Sequence, residues 1–136
     1  MKLLNLQVSH QKTKKIIKNG IKKISPSKAK RLIRKIAKGY YLSNDVYRNH
    51  ILVRHSFNSK VKGTSKFIKG FDIKNAIKKT LTDGTAVVSA NSNNRYGYVF
   101  VKNFYTKIGT DHGKSLKKLK VIINNKGKVV TAFPVK

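Results

Sequence analysis

The sequence predicts an α+β fold in which N-terminal helices pack on an antiparallel sheet of four to five strands. Apolar side chains recur with helical spacing in the first part of the chain, and from Thr85 onward they alternate as they do in strands. The tetrapeptide NNKG at residues 124–127 separates two alternating segments and is typical of a hairpin turn. Helices followed by a meander of strands favour the α+β class over a parallel α/β sheet.

Charge is the dominant feature of the composition. The 136 residues include 32 Lys or Arg against four Asp and no Glu, which gives a net charge of +28. Such a field attracts polyanions, so nucleic acid is the first partner to expect, followed by an acidic protein or an anionic membrane. Because 39% of the residues are hydrophobic and periodic, we expect a folded chain and not a disordered basic tail.

Residues 1–39 are predicted to form a basic helical arm. Ser25 and Pro26 have the pattern of an N-cap followed by proline in the first helical turn, and Gly39 lies where a helix would end. A helix over residues 26–38 is therefore expected, with a weaker one before it. Its Ile and Leu stripe either packs on the main domain or leaves the arm to bind a membrane or nucleic acid directly.

A further helix is predicted to begin at Ser43 or Asn44 and to end near His55, with Val, Tyr, Ile and Leu side chains on its buried side. Residues 56–70 are polar and contain glycine, so a loop is expected there. Asp72 is placed to cap a short helix that closes at the sequence Thr-Asp-Gly.

The second half of the chain alternates with the period of strands. A turn is predicted over residues 91–94, where Asn and Ser cluster. The predicted strands are 86–89, 96–101, 104–108, 119–123 and 128–133.

Several function classes are disfavoured by the composition. The chain has no Cys or Glu, four scattered Asp residues and no pair of His at i and i+4, so neither a zinc site nor a carboxylate cage for magnesium is expected. We expect no metal and no cofactor. No segment has the length of a membrane span, and polar residues interrupt the N-terminal apolar residues, so neither stable membrane insertion nor a cleavable signal peptide is expected.

RNA cleavage without a metal fits the remaining residue types. The RNA supplies its own nucleophile, the 2′-hydroxyl, and the protein needs a base, an acid and donors for the phosphate oxygens. His55 is the first candidate for base or acid, because Arg54 and nearby lysines should lower its pKa. The alternative for His55 is a helix cap or a packed ring. His50 is a second candidate, divided evenly between function and the core.

Cations and hydroxyls that could hold a phosphate lie close by in the sequence. Arg54, Lys60 and Lys66 are candidates, although in so basic a chain a given lysine is more often a solvated surface charge. Lys66 differs from the others because it follows Ser65 and precedes an aromatic residue. Thr131 offers a hydroxyl from a strand, where threonine is usually only a β-former.

Aromatic residues on the predicted strands could contact RNA. Tyr96, Tyr98 and Phe133 could stack on bases, but aromatic residues that alternate along strands are as often part of the core. His10 in the arm and His112 in a polar loop are expected to face solvent.

Two segments resemble bacterial polymorphic-toxin ribonucleases. LKVIINNKGKVVTAFPV is similar to the closing hairpin of these domains, with its final "TAYP" or "TAFP" strand, and RHSFNSKVKGTSKF is similar to their earlier "RH…SKF" element. The group includes the ribonuclease A-like and EndoU-like C-terminal domains of contact-dependent growth inhibition toxins, within the broader barnase, EndoU, colicin D and RelE superfamily. The resemblance covers residues 48–136, and the "GGHT" opening of the ribonuclease A-like members is missing.

This resemblance implies a metal-independent endoribonuclease, with tRNA as the expected substrate and a 2′,3′-cyclic phosphate as the product. The family's histidine, neighbouring basic residue and late threonine fall on His55, Arg54 and Thr131. Phe133 stands where ribonuclease A-like members have tyrosine, so its hydroxyl is absent or is replaced by another, such as that of Ser65 or Tyr98.

The resemblance also bears on organisation and partners. It makes residues 40–136 a ribonuclease toxin domain, secreted or delivered as part of a larger toxin, which acts in the target-cell cytoplasm during bacterial competition. A cognate acidic immunity protein would be its partner. The alternatives are a non-enzymatic nucleic-acid-binding protein of ribosomal or nucleoid type, which needs the charge but not His55, and a membrane-active protein that needs only the arm.

Overall fold

The computed structural model of the chain describes residues 26–91 and 97–136. Helix α1 spans Pro26–Lys38, as predicted. Three helical pieces then follow one another without a break and are together called the composite helix: α2 (Asn44–Val46), a π-helix (Tyr47–Ile51) and α3 (Leu52–His55). The last helix, α4, spans Ile73–Thr82.

Local capping explains where two of these helices begin. The Ser43 hydroxyl accepts a hydrogen bond from the backbone N–H of Val46 at 3.1 Å, and the Asp72 carboxylate accepts one from the N–H of Asn75 at 3.1 Å. Both side chains therefore satisfy backbone donors that a helix start leaves unpaired. The predicted start of the composite helix, its end at His55 and the Asp72 cap are confirmed.

The strands form two antiparallel sheets, which confirms the α+β class. The main sheet has the order β2-β3-β6-β7, and a small sheet has the order β1-β4-β5. The strands are β1 (Lys66–Phe67), β2 (Val87–Ala90), β3 (Tyr98–Asn103), β4 (Gly109–Asp111), β5 (Lys114–Leu116), β6 (Lys118–Ile123) and β7 (Val129–Val135).

The main sheet contains four of the five predicted strands, with ends within two residues of the prediction. The NNKG hairpin is also confirmed, because the Asn124 side chain accepts hydrogen bonds from the N–H groups of Lys126 and Lys128, each at 2.9 Å. The helix predicted before residue 26 and most of the turn predicted at 91–94 lie outside the described residues.

The predicted strand at 104–108 is wrong. Tyr105 has a φ of 58°, and its N–H donates to the side chain of Asn103 at 2.8 Å, so the backbone turns at the end of β3. The small sheet formed by β1, β4 and β5 was not predicted, because strands of two or three residues are too short to show an alternating pattern.

Helix α1 packs into the same hydrophobic core as the remainder of the described chain. Its residues Ile33 and Ala37 are buried and belong to one cluster with Ile77 of α4 and Phe100 of β3. The Arg34 guanidinium also donates to the backbone carbonyl of Ala86 at 2.7 Å. Of the two alternatives for the arm, α1 therefore follows the one in which its apolar stripe packs on the main domain.

A close approach of backbones joins the two sheets. A Cβ atom on Gly109 would lie 2.4 Å from the Lys66 carbonyl oxygen and 2.5 Å from the Pro134 ring, so only glycine fits where β4 passes between β1 and β7. The small sheet is thereby held against β7. The composite helix contacts the same strand.

Candidate active site

A cleft of about 1000 Å³ is formed where the composite helix, the small sheet and β7 meet. Its walls come from sequence-distant parts of the chain: the end of the composite helix, residues 63–65, the β4–β5 hairpin and the last strand. Predicted site residues that line it are His50, Arg54, His55, Ser65, Thr131 and Phe133. The fold therefore brings together six residues that were selected from the sequence.

Two histidines five residues apart on the composite helix both reach the cleft. The backbone N–H of Leu52 donates to the carbonyl of Tyr47, which is the i to i−5 bond of a π-turn. Five residues correspond to about one and a half turns of an α-helix, which would give the two side chains only a loosely shared face. Both side chains nevertheless line the cleft, His50 from the π-helix and His55 from the last residue of α3.

His55 is buried, and its ring is held on two sides. Its Nδ1 lies 2.7 Å from the backbone carbonyl oxygen of Ser65, and its ring stacks on Phe133 with centroids 5.1 Å apart. A carbonyl can only accept a hydrogen bond, so Nδ1 carries the proton. The neutral ring therefore has its lone pair on Nε2, which is the form a general base requires.

The environment lowers the pKa of His55. Burial is the largest cause, and the positive charges of Lys66 and Arg54 together with His50 act in the same direction, while the hydrogen bond to Ser65 opposes them. A lowered pKa of His55 was predicted from the sequence, but on the basis of neighbouring charges alone and without the effect of burial. A lowered pKa keeps the ring neutral near pH 7.

His50 and Thr131 form the second element of the site. The His50 Nε2 lies 3.1 Å from the Thr131 hydroxyl, and both side chains are half-buried. Thr131 is fixed on β7 by its pairing with Ile122 of β6. A ring nitrogen and a hydroxyl in hydrogen-bond contact can share or relay one proton at the cleft wall.

Ser65 and Lys66 use their polar groups within the protein. The Ser65 hydroxyl donates to the Pro134 carbonyl at 2.7 Å. The Lys66 ammonium contacts four oxygen atoms of neighbouring residues at 2.5 to 3.2 Å. These contacts favour a structural role for Lys66 over the predicted phosphate clamp.

Arg54 and Lys60 are both exposed but differ in position. Arg54 lines the cleft, where its guanidinium can reach a bound anion. Lys60 lies on the loop 56–64 and lines a separate depression beside the cleft.

The predicted aromatic contacts have three different outcomes. Phe133 lines the cleft, but one face of its ring is covered by His55, and the ammonium of Lys120 lies 5.8 Å from its centroid. Tyr98 is fully buried in the core, the alternative that the sequence left open, and cannot stack on a base in this conformation. Tyr96, like His10, lies outside the described residues.

Sequence reasoning missed the contribution of the β4–β5 hairpin. His112 and Gly113 form its two-residue turn with φ of 50° and 79°, as in a type I′ turn. The His112 side chain is exposed, as predicted, yet it lines the cleft together with Lys114 and the C-terminal Lys136. Its Nδ1 lies 2.8 Å from the Asp111 carboxylate. The sequence Asp-His-Gly was a usable turn signal.

Within residues 26–91 and 97–136, no group of three or more His, Cys, Asp or Glu side chains could hold a metal ion. None of the helices in this part of the chain has the length and apolar character needed to cross a membrane.

Comparison of the chain with protein-family models, curated proteins and solved structures gives no significant match. The resemblance to polymorphic-toxin ribonucleases therefore stays a prediction.

Proposed function

We propose that this chain is a metal-independent endoribonuclease toxin that cleaves RNA, with tRNA as its substrate, by 2′-hydroxyl transesterification. The observation that carries the proposal is the pairing of two histidines in one cationic cleft, with His55 held as the Nδ1–H tautomer by Ser65. A buried, neutral imidazole beside a second imidazole and a hydroxyl supplies the groups that this reaction needs.

The proposed step moves two protons and exchanges one bond to phosphorus. His55 Nε2 removes the proton of the 2′-hydroxyl, and the 2′-oxygen forms a bond to phosphorus. The bond from phosphorus to the 5′-oxygen breaks, and His50, in contact with Thr131, donates a proton to that oxygen. The products are a 2′,3′-cyclic phosphate and a 5′-hydroxyl end.

Positive charge at the cleft supports both binding and the transition state. Arg54, Lys114 and Lys136 line it, against one carboxylate, that of Asp111. Arginine can hold two oxygens of the phosphorane at once, and the lysines attract the phosphates on either side of the reacting one. The net charge of +28 extends this attraction over long distances at low salt.

The proposal includes a partner and a route. An acidic immunity protein would complement the charge of the cleft and block it in the producing cell. The domain would be delivered as part of a larger toxin and act in the cytoplasm of the target cell, where tRNA is abundant.

The test is incubation of the purified protein with total bacterial RNA and with tRNA in excess EDTA, followed by analysis of the fragments and their 3′ ends. We expect discrete fragments with cyclic-phosphate ends. His55→Asn should lower the cleavage rate about 10²- to 10⁴-fold. Asparagine can still donate to the Ser65 carbonyl from a position similar to Nδ1, but it has no basic nitrogen, so the fold is kept while the base is lost.

Lys78→Ala is the control, because Lys78 is exposed on α4 and lies outside the cleft. It should cleave like the wild type. RNA that is bound but left intact by a folded wild-type protein would contradict the proposal and favour the non-enzymatic binding protein. Equal cleavage by the wild type and His55→Asn would remove His55 from the mechanism.

A further inference from the structure

The loop 56–64 is wrapped around the side chain of Lys66. The ammonium nitrogen lies 2.8 Å from the Arg54 carbonyl oxygen, 2.5 Å from the Val61 carbonyl oxygen, 2.5 Å from the Thr64 hydroxyl and 3.2 Å from the Ser59 hydroxyl. All four partners are neutral oxygens. An ammonium has three protons, so its donor capacity is fully used by the protein.

Of these oxygens, the Arg54 carbonyl belongs to the last turn of the composite helix, and the two loop hydroxyls bond to carbonyls of that turn. The Ser59 hydroxyl donates to the Val53 carbonyl at 2.6 Å, and the Thr64 hydroxyl donates to the Arg54 carbonyl at 2.7 Å. The last carbonyls of a helix lack intrahelical partners and carry partial negative charge. Lys66 therefore acts as an internal cation that caps this helix end and closes the loop upon it.

The residue before Lys66 connects this cation to the cleft. The Ser65 carbonyl accepts the Nδ1–H of His55, and the Ser65 hydroxyl donates to Pro134 of β7. Lys66 itself pairs with Thr110 in the small sheet. The Ser65–Lys66 dipeptide thus ties the composite helix, the small sheet and β7 together at the point where His55 is held.

We propose that Lys66 is a positioning residue, whose ammonium holds the loop 56–64 and the Ser65 carbonyl so that His55 keeps its proton on Nδ1 and its lone pair on Nε2. The catalytic consequence rests on the proposed function, but the state of the His55 ring can be measured without any substrate. Lys66 would act on the reaction through His55 and not by contact with the phosphate.

The charge of Lys66 also bears on the ionisation of His55. Removal of this positive charge alone would raise the pKa of His55, whereas loss of the hydrogen bond to Ser65 would lower it, so the tautomer of His55 and not its pKa is the deciding observation. The other titratable or charged groups around His55 and the cleft, which stay unchanged in the test, are His50, Arg54, Asp111, His112, Lys114 and Lys136.

The experiment is nitrogen-15 NMR of the histidine rings in the wild type, Lys66→Met and Lys62→Met. Lys62 is the matched control, because it is exposed on the same loop and loses the same charge. We expect the neutral His55 ring to be the Nδ1–H tautomer in the wild type and Lys62→Met. In Lys66→Met we expect a mixture of the Nδ1–H and Nε2–H tautomers. Lys66→Gln, which keeps two N–H donors without the charge, provides the same readout if Lys66→Met does not fold.

Kinetics and amine rescue separate positioning from substrate binding. Lys66→Met should lower kcat about 10- to 100-fold, with KM no more affected than in Lys62→Met. In Lys66→Ala, methylammonium should restore the His55 tautomer and the melting temperature, whereas tetramethylammonium, which has no N–H, should restore neither.

An unchanged His55 tautomer in a folded Lys66 variant would overturn the inference. A raised KM with unchanged kcat would also overturn it, because it would make Lys66 a phosphate ligand. If the wild type cleaves no RNA, the proposed function fails, while the NMR result still decides whether Lys66 holds the His55 ring.

Discussion

Two helix ends in this molecule hold a lysine in opposite ways. At the end of α4, the Asp83 carboxylate accepts hydrogen bonds from the N–H and hydroxyl of Thr85 and forms an ion pair of 2.7 Å with the ammonium of Lys102. At the end of the composite helix, the Lys66 ammonium contacts only carbonyl and hydroxyl oxygens. The first end contains a neutralised pair, and the second contains a cation whose charge is not cancelled.

The difference follows from the shortage of acids. With four Asp against 32 Lys and Arg, few cations can be neutralised, and a half-buried ammonium such as that of Lys66 is satisfied by backbone and hydroxyl oxygens. The uncancelled charge lies beside the cleft, where it lowers the pKa of His55 and adds to the attraction for phosphates. The paired end contributes structure alone.

The largest effect on stability is expected for Lys66→Met. The substitution leaves the Arg54 and Val61 carbonyls without their cation and should lower the free energy of unfolding by roughly 1–3 kcal/mol. Subtraction of the value for Lys62→Met removes the general benefit of one less positive charge. Because the lost contacts are short hydrogen bonds to neutral groups, the loss should persist in 1 M NaCl. Equal values for the two variants would show that the helix end does not depend on this ammonium.

An intermediate effect is expected for His55 and depends on pH. Since its folded pKa lies below the ordinary value of about 6.5, the unfolded chain binds the proton more tightly. The contribution of His55 to stability is therefore complete above the ordinary pKa. It decreases as the pH falls towards the folded pKa, by at most about 1.4 kcal/mol per pH unit.

Denaturant unfolding of the wild type and His55→Asn between pH 7.5 and 5 measures this contribution of His55 to the free energy of unfolding. The wild type should lose stability over the range, and the difference between the two proteins isolates His55 from the other histidines. Parallel pH profiles for both proteins would show that the pKa of His55 is not lowered. They would also contradict the contrast between the two helix ends, because the uncancelled charge of Lys66 is one cause of the lowered pKa.

The smallest effect is expected for Asp83→Asn. Burial alone would raise the pKa of Asp83, but its hydrogen bonds with Lys102 and Thr85 lower it overall, so the carboxylate is charged at pH 7. Its contribution is present above the ordinary carboxyl pKa and decreases as the pH falls through the lowered value. A partly exposed pair contributes about 1 kcal/mol or less.

Salt distinguishes this pair from Lys66. In 1 M NaCl the Debye length falls to about 3 Å, so the destabilisation in Asp83→Asn should largely disappear. A loss that persists in high salt would place the Asp83 pair in the same class as the Lys66 contacts and remove the distinction.

Much of the fold could be predicted because its signals are local. The Ser43 and Asp72 caps, Pro26 at the start of α1 and the NNKG hairpin each act within about four residues, and the structure confirms them. The strand predicted at 104–108 failed because one left-handed residue, Tyr105, interrupts an otherwise suitable pattern. The sheet of two- and three-residue strands carries no periodic signal.

The candidate site was only partly predictable. Residue type and resemblance selected His55, Arg54 and Thr131, and the fold brings all three to one cleft. Neither residue type nor resemblance could show that His50 contacts the Thr131 hydroxyl, 81 residues later in the chain. This contact depends on the π-helix and on the register of β7. The partners of Lys66 depend on the path of the loop, which is set by tertiary contacts.

The π-helix also limits how the length of this segment can vary. A π-turn holds one more residue than an α-turn, so removal of a single residue such as the exposed Asn49 would convert the segment to an α-helix. The part of the helix before the deletion would then rotate by about 100° relative to the part after it. Either His50 would leave Thr131, or Val46 and Tyr47 would leave the core. Single-residue deletions should therefore be far less tolerated here than substitutions at the same exposed positions.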